Sequence, residues 1–456
     1  MNENQIHELN EKIAELIEDK KIVQLKELLS TVNPVDIAEA LEGLSEKDIL
    51  LTYRLLSKES AADLFAAADA DFQEILVKGF SDKELRAVMD ELYLDDAADL
   101  IEEMPANVVA RILKNTDAET RKSINALLLY PEDSAGSIMT PEYVSLYPTM
   151  TVEDAFKKIR KEGVDKETVY TCYVTDNRRL VGVVSVRSML IADQNVKIGD
   201  IMHENLITVE TTDDKEFVAA QFQKYGYLAI PVVDREKRLV GIVTIDDALE
   251  VMEDEATEDI EKMAAILPTE KPYMKTGVFA TWAKRIPWLL LLMVSATFTS
   301  QIINSFEAAL TACIVLTGFI PMIMDTGGNA GGQASVTIIR GLSVGDIELR
   351  DVWRIIWKEI RVAFVCGLTV APVAFLKVMF VDGMFREENG LLIALVVSLT
   401  LLFTIVVAKF IGCTLPLLAK KIGFDPAVMA SPFITTIVDA LSLLLYFAVA
   451  SNLLGL

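Results

Sequence analysis

The sequence predicts a multidomain protein: an α-helical superhelical N-domain, an α/β pair of repeated domains, an acidic connecting helix and an all-α transmembrane domain of five helices. Three observations support this prediction. They are a 12-residue period over residues 35–130, a strand motif repeated within residues 136–250, and a series of uncharged apolar stretches after Arg285. The resulting domain boundaries are 1–131, 132–250, 251–273 and 274–456.

Charge and hydropathy divide the chain into two halves. The formal net charge is −24, yet the mean hydropathy is +0.35. Residues 1–270 contribute −27 and residues 271–456 contribute +3. A basic patch for nucleic acid is therefore excluded, since phosphate contacts need clustered Lys and Arg. An acidic field attracts cations instead, so we expect a soluble acidic half fused to an apolar membrane half.

The 12-residue period predicts a stack of short helices. Position eleven of the repeat offers helix N-caps at Ser45, Ser57, Asp69, Ser81 and Asp117, residue types that satisfy free backbone N–H groups. Position seven is apolar in nearly every unit, and its occupants are Leu41, Tyr53, Phe65, Val77, Met89, Ile101, Leu113 and Asn125. Two-turn helices cannot bury a core singly, so they are expected to stack into a superhelix.

The motif LVGVVSV recurs 59 residues later as LVGIVTI, each time before a predicted helix. This pattern resembles a pair of CBS domains, which bind adenosine nucleotides through a Gly-x-x-Ser/Thr-x-x-Asp pattern. Gly241, Thr244 and Asp247 match this pattern in the second copy. The first copy has Ser188 in place of the Asp. The resemblance implies ATP binding at the second copy, and the first copy departs from the pattern at Ser188.

Acidic residues are densest from Asp246 to Glu261, on the helix that connects the two halves. One interpretation is a solvated helix face, the usual role of a charge run. The other is a cation sensor, since the carboxylates repel one another and divalent ions would draw them together.

Five apolar stretches, uncharged except for Asp439 in the last, approach the roughly 20 residues that cross a bilayer. Basic residues cluster on one side of these stretches, which predicts a cytosolic N-terminal half and an external C-terminus. The first 51 residues carry charges throughout and lack the apolar core of a signal peptide, which fits this orientation. The protein is therefore expected to be a multi-pass protein of the cell (inner) membrane. The stretches are 287–306, 308–324, 362–376, 391–408 and 433–454.

A glycine-rich motif, DTGGNAGGQ, is predicted late in the second span. Asp325, Asn329 and Gln333 recur at four-residue spacing and so share one helix face. The overlapping Gly-x-x-x-Gly pairs also fit a plain helix-packing motif. Both interpretations are open at the level of the sequence.

Asp439 lies within the last predicted span, and Thr435 and Ser431 precede it by four and eight residues. An ionisable residue in mid-span almost always faces a partner or an aqueous path. The alternatives are a protonated, structural Asp and a cation pathway. Asp439, Thr435 and Ser431 together offer oxygen ligands alone, which favours a hard ion. A sparse set of oxygens suits hydrated Mg²⁺ better than Ca²⁺.

The order of these parts and the motifs DTGGNAG and Asp425-Pro426-Ala resemble the MgtE family of bacterial magnesium channels and transporters. The resemblance implies a homodimer with a pore on its two-fold axis. It implies Mg²⁺ at Asp439, beside Thr435, Ser431 and Asn329. It also implies closure by cytosolic Mg²⁺ bound between the N-domain, the CBS pair and a plug helix, through Asp63, Asp95, Asp99, Glu216, Asp247, Glu250, Glu255, Glu258 and Asp259. Gly226 stands where a ligating Asp is expected.

The sequence thus predicts a channel-like protein for Mg²⁺ uptake, with Mg²⁺ as cargo and regulator and ATP as a modulator. No P-loop and no set of nucleophile, base and oxyanion hole is present in the sequence, so an enzyme is not expected. Two alternatives are transport of another divalent ion, such as Co²⁺, Mn²⁺ or Ca²⁺, and a membrane-anchored nucleotide or metal sensor.

Overall fold

The computed structural model describes residues 1–269, 273–387, 389–429 and 431–455, without the side chains of Asp165 and Ser431. The chain separates into two compact units, Met1–Met252 and Glu253–Leu456. Each unit is described by itself.

The first unit begins with a superhelical arm of short helices. The predicted caps Ser45, Ser57, Asp69, Ser81 and Asp117 each accept a backbone N–H at a helix start, which confirms the prediction for position eleven. The helices are α1 (Glu3–Glu18), α2 (Ile22–Leu29), α3 (Pro34–Leu41), α4 (Glu46–Tyr53), α5 (Lys58–Ala66), α6 (Ala70–Gly79), α7 (Asp82–Met89), α8 (Leu94–Glu103), α9 (Ala106–Asn115) and α10 (Ala118–Leu127).

Alternate helices of the arm pack on one another, as α3 on α5, α5 on α7 and α8 on α10. Position seven of the repeat supplies this core, because Leu41, Phe65 and Met89 are buried. Asn125 is exposed in the last unit, where Ile124 and Leu127 are buried instead. The last helix has no following repeat to cover that position.

Two similar α/β domains follow the arm, and each contains a sheet with one parallel and one antiparallel strand pair. The sheet orders are β1-β2-β3 and β4-β5-β6. The predicted strands are confirmed to within about a residue. The elements are β1 (Ser145–Leu146), α11 (Val152–Glu162), β2 (Thr171–Asp176), β3 (Arg179–Ser185), α12 (Val186–Ile191), α13 (Ile198–Ile201), β4 (Val209–Glu210), α14 (Lys215–Tyr225), β5 (Ala229–Val233), β6 (Leu239–Thr244) and α15 (Ile245–Met263).

The two copies exchange their opening segments. Thr140, in the opening segment of the first copy, bridges to Ile242 in β6, and His203, in that of the second, bridges to Val183 in β3. Gly241 permits this approach, since a Cβ there would lie 2.7 Å from the sulfur of Met139. The domains are therefore built as one interlocked pair.

The second unit consists mainly of long helices. Within the described residues, four of them are long and apolar enough to cross a membrane; they begin at Val278, Leu349, Gly390 and Pro426. The α-helices are α16 (Val278–Ser305), α17 (Glu307–Ala312), α18 (Ile320–Ser343), α19 (Val352–Leu376), α20 (Gly390–Ile422) and α21 (Ser431–Leu454).

The predicted second span, 308–324, was wrong in its placement. The chain there forms the short α17 and a 3-10 segment, and a 24-residue helix, α18, begins at Ile320 with Pro321 in its first turn. The glycine-rich motif therefore lies around the middle of α18, not at the end of the predicted span. A proline pre-set for the first helical turn is the local reason for this start.

Candidate cation sites

Carboxylates from the arm and the α/β pair converge within the first unit. Asp95 and Asp99 lie four residues apart on α8 and so share a face. The charge of Asp247, in the first turn of α15, acts on both Asp96 and Asp99. We call this group, together with Glu142 and Glu167, the acidic cluster.

The tightest part of the acidic cluster is a triad. One carboxylate oxygen from each of Asp95, Glu142 and Glu167 lies within 4.8 Å of the other two. Asp95 is only 6% exposed, and its Oδ1 has no hydrogen-bond partner among the described residues. Glu142 also accepts the N–H of Leu94 at 3.2 Å, which fixes it beside the start of α8. Three converging carboxylate oxygens form the kind of ligand set that hard divalent cations take.

Burial and mutual repulsion disfavour the charged forms of this cluster. Burial, and then the charge of Asp96, raises the pKa of Asp95 to about 7. The same two causes, burial and neighbouring carboxylates, raise the pKa of Asp99 to about 8 and that of Glu167 to about 9. A bound divalent cation would offset both causes.

The structure brings together several of the predicted regulatory acids. Asp95, Asp99 and Asp247 belong to the acidic cluster, and the charge of Glu250 acts on Asp96. The charge of Asp63 acts on Tyr93, which the charges of Glu142 and Glu167 also reach. Glu216 lies in the first turn of α14, and its link to the cluster stays a prediction.

Sequence reasoning missed Asp96, Glu142 and Glu167. Asp96 directly follows Asp95 in the sequence, and this adjacency to a predicted acid was a visible signal. Glu142 and Glu167 carry no such signal, because only the tertiary fold brings them to α8.

Gly226, where a ligating Asp is expected, ends α14 in the left-handed region at φ +66°. Its N–H donates to the carbonyl oxygen of Phe222 at 2.8 Å. Glycine adopts this conformation without strain. Its role here is to terminate the helix.

The nucleotide-binding pattern forms a helix start in both copies. Thr244 Oγ1 donates to Asp247 Oδ2 at 2.5 Å. In the first copy the Ser185 and Ser188 hydroxyls lie 2.8 Å apart. Positions 188 and 247 are thus equivalent in geometry, and the first copy lacks only the carboxylate.

In the second unit, the end of α15 contacts the segment before α21. Lys262 Nζ lies 2.7 Å from both Glu258 Oε1 and Asp425 Oδ2. Ser343 Oγ donates to Asp259 Oδ2 at 3.3 Å, and Met263 packs against Ile339.

Lys262 acts here as an internal cation between two carboxylates. Burial lowers its pKa, but the hydrogen bonds with Asp425 and Glu258 outweigh burial and raise it. Burial, and then Asp425, raises the pKa of Asp259. Glu255 lies one turn earlier on α15. Glu255, Glu258 and Asp259 were predicted from the sequence, whereas the roles of Lys262 and Asp425 were not.

The glycines of α18 let it pack closely on α20 and α21. A Cβ at Gly328 would lie 2.9 Å from Thr435 Cγ2, and one at Gly331 would lie 2.8 Å from Ile434 Cγ2. The helix-packing interpretation of the motif is therefore confirmed. This packing does not exclude a functional polar face, because the glycines and the polar residues of the motif lie on different faces of α18.

The polar face of α18 is uncovered in the single chain. Asp325, Asn329, Gln333 and Arg340 are all exposed along it, whereas Gly327, Gly328, Gly331 and Gly332 are buried.

Asp439 lies on α21 near this polar face. It interacts electrostatically with Asp325, and its Oδ1 is buried without a hydrogen-bond partner among the described residues. Thr435 precedes it by one turn and contacts α18 at Gly328. The side chain of Ser431 lies outside the described residues. Thr404 of α20, which sequence analysis missed, is 1% exposed and lies against Gly327.

Comparison with known families gives matches for three parts of the chain. Residues 320–449 match a family model described as MgtE, a divalent cation transporter. Residues 32–133 match the MgtE intracellular N domain, and residues 135–195 and 198–254 match the CBS domain.

Curated relatives align over nearly the whole chain. The magnesium transporter MgtE of Thermus thermophilus is 36% identical over 98% of this chain and 99% of its own. The proteins of the same name from Enterococcus faecalis and Bacillus subtilis are 33% and 31% identical over at least 97% of both chains.

Two solved structures resemble the N-terminal part. One is the cytosolic domain of the Mg²⁺ channel MgtE in complex with ATP, at 35% identity and a TM-score of 0.51, over 53% of this chain and 99% of that one. The other is the soluble part of a magnesium transporter, at 31% identity and a TM-score of 0.51, over 55% and 99% of the two chains.

Proposed function

The chain belongs to the MgtE family of magnesium transporters, and we propose that it is a channel-like path for Mg²⁺ uptake down the electrochemical gradient. The N-terminal half lies in the cytosol and the C-terminus outside. The membrane potential contributes about 2.3 kcal/mol per charge per 100 mV, which favours inward flow of a divalent cation without ATP hydrolysis.

The observation that carries the proposal is the buried, unpartnered Oδ1 of Asp439 beside the uncovered polar face of α18. A polar face on a spanning helix is costly against lipid. A second copy across a two-fold axis would cover it and surround an aqueous path. We therefore propose a homodimer in which Asp439, Thr435, Asn329 and Ser431 line the path and hold Mg²⁺ mainly through its water shell.

Mg²⁺ flux into proteoliposomes tests this path. Asp439→Ala removes the carboxylate, and we expect influx to fall at least tenfold. Asp346→Ala, at an exposed acid in the loop before α19, is the matched control and should retain influx. Unchanged influx in Asp439→Ala would make the pore assignment wrong and would favour the alternative of a membrane-anchored sensor. Competition by Co²⁺, Mn²⁺ and Ca²⁺ in the same assay defines the cargo.

Closure by cytosolic Mg²⁺ is the regulatory part of the proposal. Its support in the first unit is the acidic cluster, where burial and repulsion raise the pKa values of Asp95, Asp99 and Asp247. In the second unit its support is the contact of α15 with Asp425. The plug acids Glu255, Glu258 and Asp259 share one continuous helix with Asp247.

We further propose that ATP binds the second CBS copy, at Gly241, Thr244 and Asp247. The support is the matching helix start and the ATP complex of the relative's cytosolic domain. Ser188→Asp restores the missing carboxylate of the first copy, so calorimetric titration should give two ATP sites per chain instead of one. Asp247→Ala should lose the original site. An unchanged titration in both variants would contradict the assignment.

A further inference from the structure

The beginning of α19 carries a basic and aromatic patch on the surface of the second unit. The exposed residues are Trp353, Arg354, Trp357, Lys358 and Arg361, and we call them the α19 patch. Trp353 is 81% exposed and Trp357 is 61% exposed. The opposite face of the same helix is buried, through Ile355, Glu359 and Ala363.

The exposed face changes character along the helix. After Arg361 it continues with Val365, Leu368 and Val373, which are 62–67% exposed and wholly apolar. Four residues of helix rise correspond to about 6 Å. A change from Arg and Trp to aliphatic residues over that distance is typical of the boundary between lipid headgroups and hydrocarbon.

Two cations of the α19 patch have no ion-pair partner in the part of the chain that the structure describes. Arg354 has Asp351 at 3.7 Å, and Glu359 faces Lys409 at 3.9 Å inside the helix bundle. Among the described residues, Lys358 and Arg361 have no carboxylate within 4.0 Å. They are available to an external anion.

Arg361 is held in a defined position by Trp357. Its guanidinium carbon lies 5.6 Å from the centre of the indole ring, and its Nε donates to the carbonyl oxygen of Trp357 at 3.3 Å. Stacking on an aromatic face restrains the side chain and leaves the terminal guanidinium nitrogens free to bind an oxyanion.

We propose that the α19 patch binds the phosphate of an anionic glycerophospholipid, with Lys358 and Arg361 as the phosphate ligands. The apolar continuation of the face accommodates the acyl chains. A second copy of this chain is a poorer occupant, because a two-fold contact at the patch would set these cations against their own copies. The inference does not depend on the identity of the transported ion.

Tryptophan quenching by brominated lipid tests the proposal on the full chain. The background Trp282→Phe, Trp288→Phe, Trp353→Phe leaves Trp357 as the single tryptophan. In mixed vesicles, brominated phosphatidylglycerol should quench Trp357 several-fold more effectively than brominated phosphatidylcholine. High salt should reduce this preference, because ion pairs at a surface are screened.

Matched variants assign the effect to the patch. The double variant Lys358→Gln, Arg361→Gln should abolish the preference, and Arg361→Lys should keep most of it. Arg386→Gln is the control, since Arg386 also stacks on an aromatic ring, Phe385, but in the loop before α20. Soluble glycerol phosphate at millimolar concentration should not compete if the occupant is a lipid.

Equal quenching by the two lipids in the single-tryptophan background, where Lys358 and Arg361 are intact, would overturn the proposal. So would an unchanged preference in the double Gln variant, or competition by soluble glycerol phosphate. The absence of quenching by either lipid would mean that protein covers the face, and would overturn it as well.

Discussion

At the scale of residues, the acidic cluster is the feature with the clearest chemical consequence. Asp95 is nearly fully buried with an unpartnered oxygen, a state that costs stability unless the group is protonated or bound to a cation. Local sequence indicated Asp95 and Asp99 only through their resemblance to a family pattern. Glu142 and Glu167 could not be predicted, because nothing near them in sequence shows that the fold brings them to α8.

The raised pKa values predict how pH and Mg²⁺ affect stability. Asp95 and Asp247 have a pKa of about 7 when folded, well above that of an exposed Asp. Between about pH 4 and pH 7 the unfolded chain therefore binds fewer protons than the folded one, and stability falls as pH rises through this window. A tenfold difference in proton affinity between the folded and unfolded chain corresponds to about 1.4 kcal/mol of folding free energy.

Because Mg²⁺ binds deprotonated carboxylates, we expect it to raise the Tm of the soluble half by several degrees more at about pH 8 than at about pH 5. Scanning calorimetry with and without millimolar Mg²⁺ measures this. The double variant Asp95→Asn, Glu167→Gln should remove most of the difference. An equal effect of Mg²⁺ at both pH values would argue against a titrating Mg²⁺ site.

At the scale of elements, local chemistry explains what the sequence could predict. The N-caps at Ser45 and Ser81 define helix starts through bonds to nearby backbone, so the arm was predictable. Hydropathy did not predict the placement of α18, because the polar and glycine-rich residues of this helix lower its mean hydropathy. Pro321 was the overlooked signal for the start of the helix. The role of Lys262 was also hidden, since Asp425 is remote in sequence.

The contact of Lys262 with Glu258 and Asp425 at the end of α15 can be tested by substitution. Lys262→Gln removes the cation between Glu258 and Asp425, so the two carboxylates repel. We expect protease to cleave the second half of α15 roughly two- to fivefold faster in Mg²⁺-free buffer, equivalent to up to about 1 kcal/mol for a partly exposed ion pair. Millimolar Mg²⁺ should restore protection.

Lys262→Arg should behave as the wild type. Lys237→Gln, which breaks the ion pair of Lys237 with Glu210 in the first unit, is the control for loss of a lysine. Cleavage of Lys262→Gln at the wild-type rate in Mg²⁺-free buffer would show that this contact does not hold α15.

At the scale of the whole molecule, the division between a −27 half and a +3 half has a functional interpretation. The acidic half concentrates carboxylates that a divalent cation can stabilise. The apolar half holds only eleven of the 67 acidic residues, and two of them, Asp325 and Asp439, interact electrostatically. We propose that the first half senses Mg²⁺ and that the second conducts it.

Current recordings from inside-out patches, with Mg²⁺ varied on the cytosolic face, test whether the first half senses Mg²⁺ and the second half conducts it. We predict that millimolar cytosolic Mg²⁺ closes the wild-type channel. The variant Asp95→Asn, Glu167→Gln should still conduct but should need at least severalfold more Mg²⁺ for closure. A wild-type current that cytosolic Mg²⁺ leaves unchanged, or a variant that closes at the wild-type concentration, would contradict this division of roles.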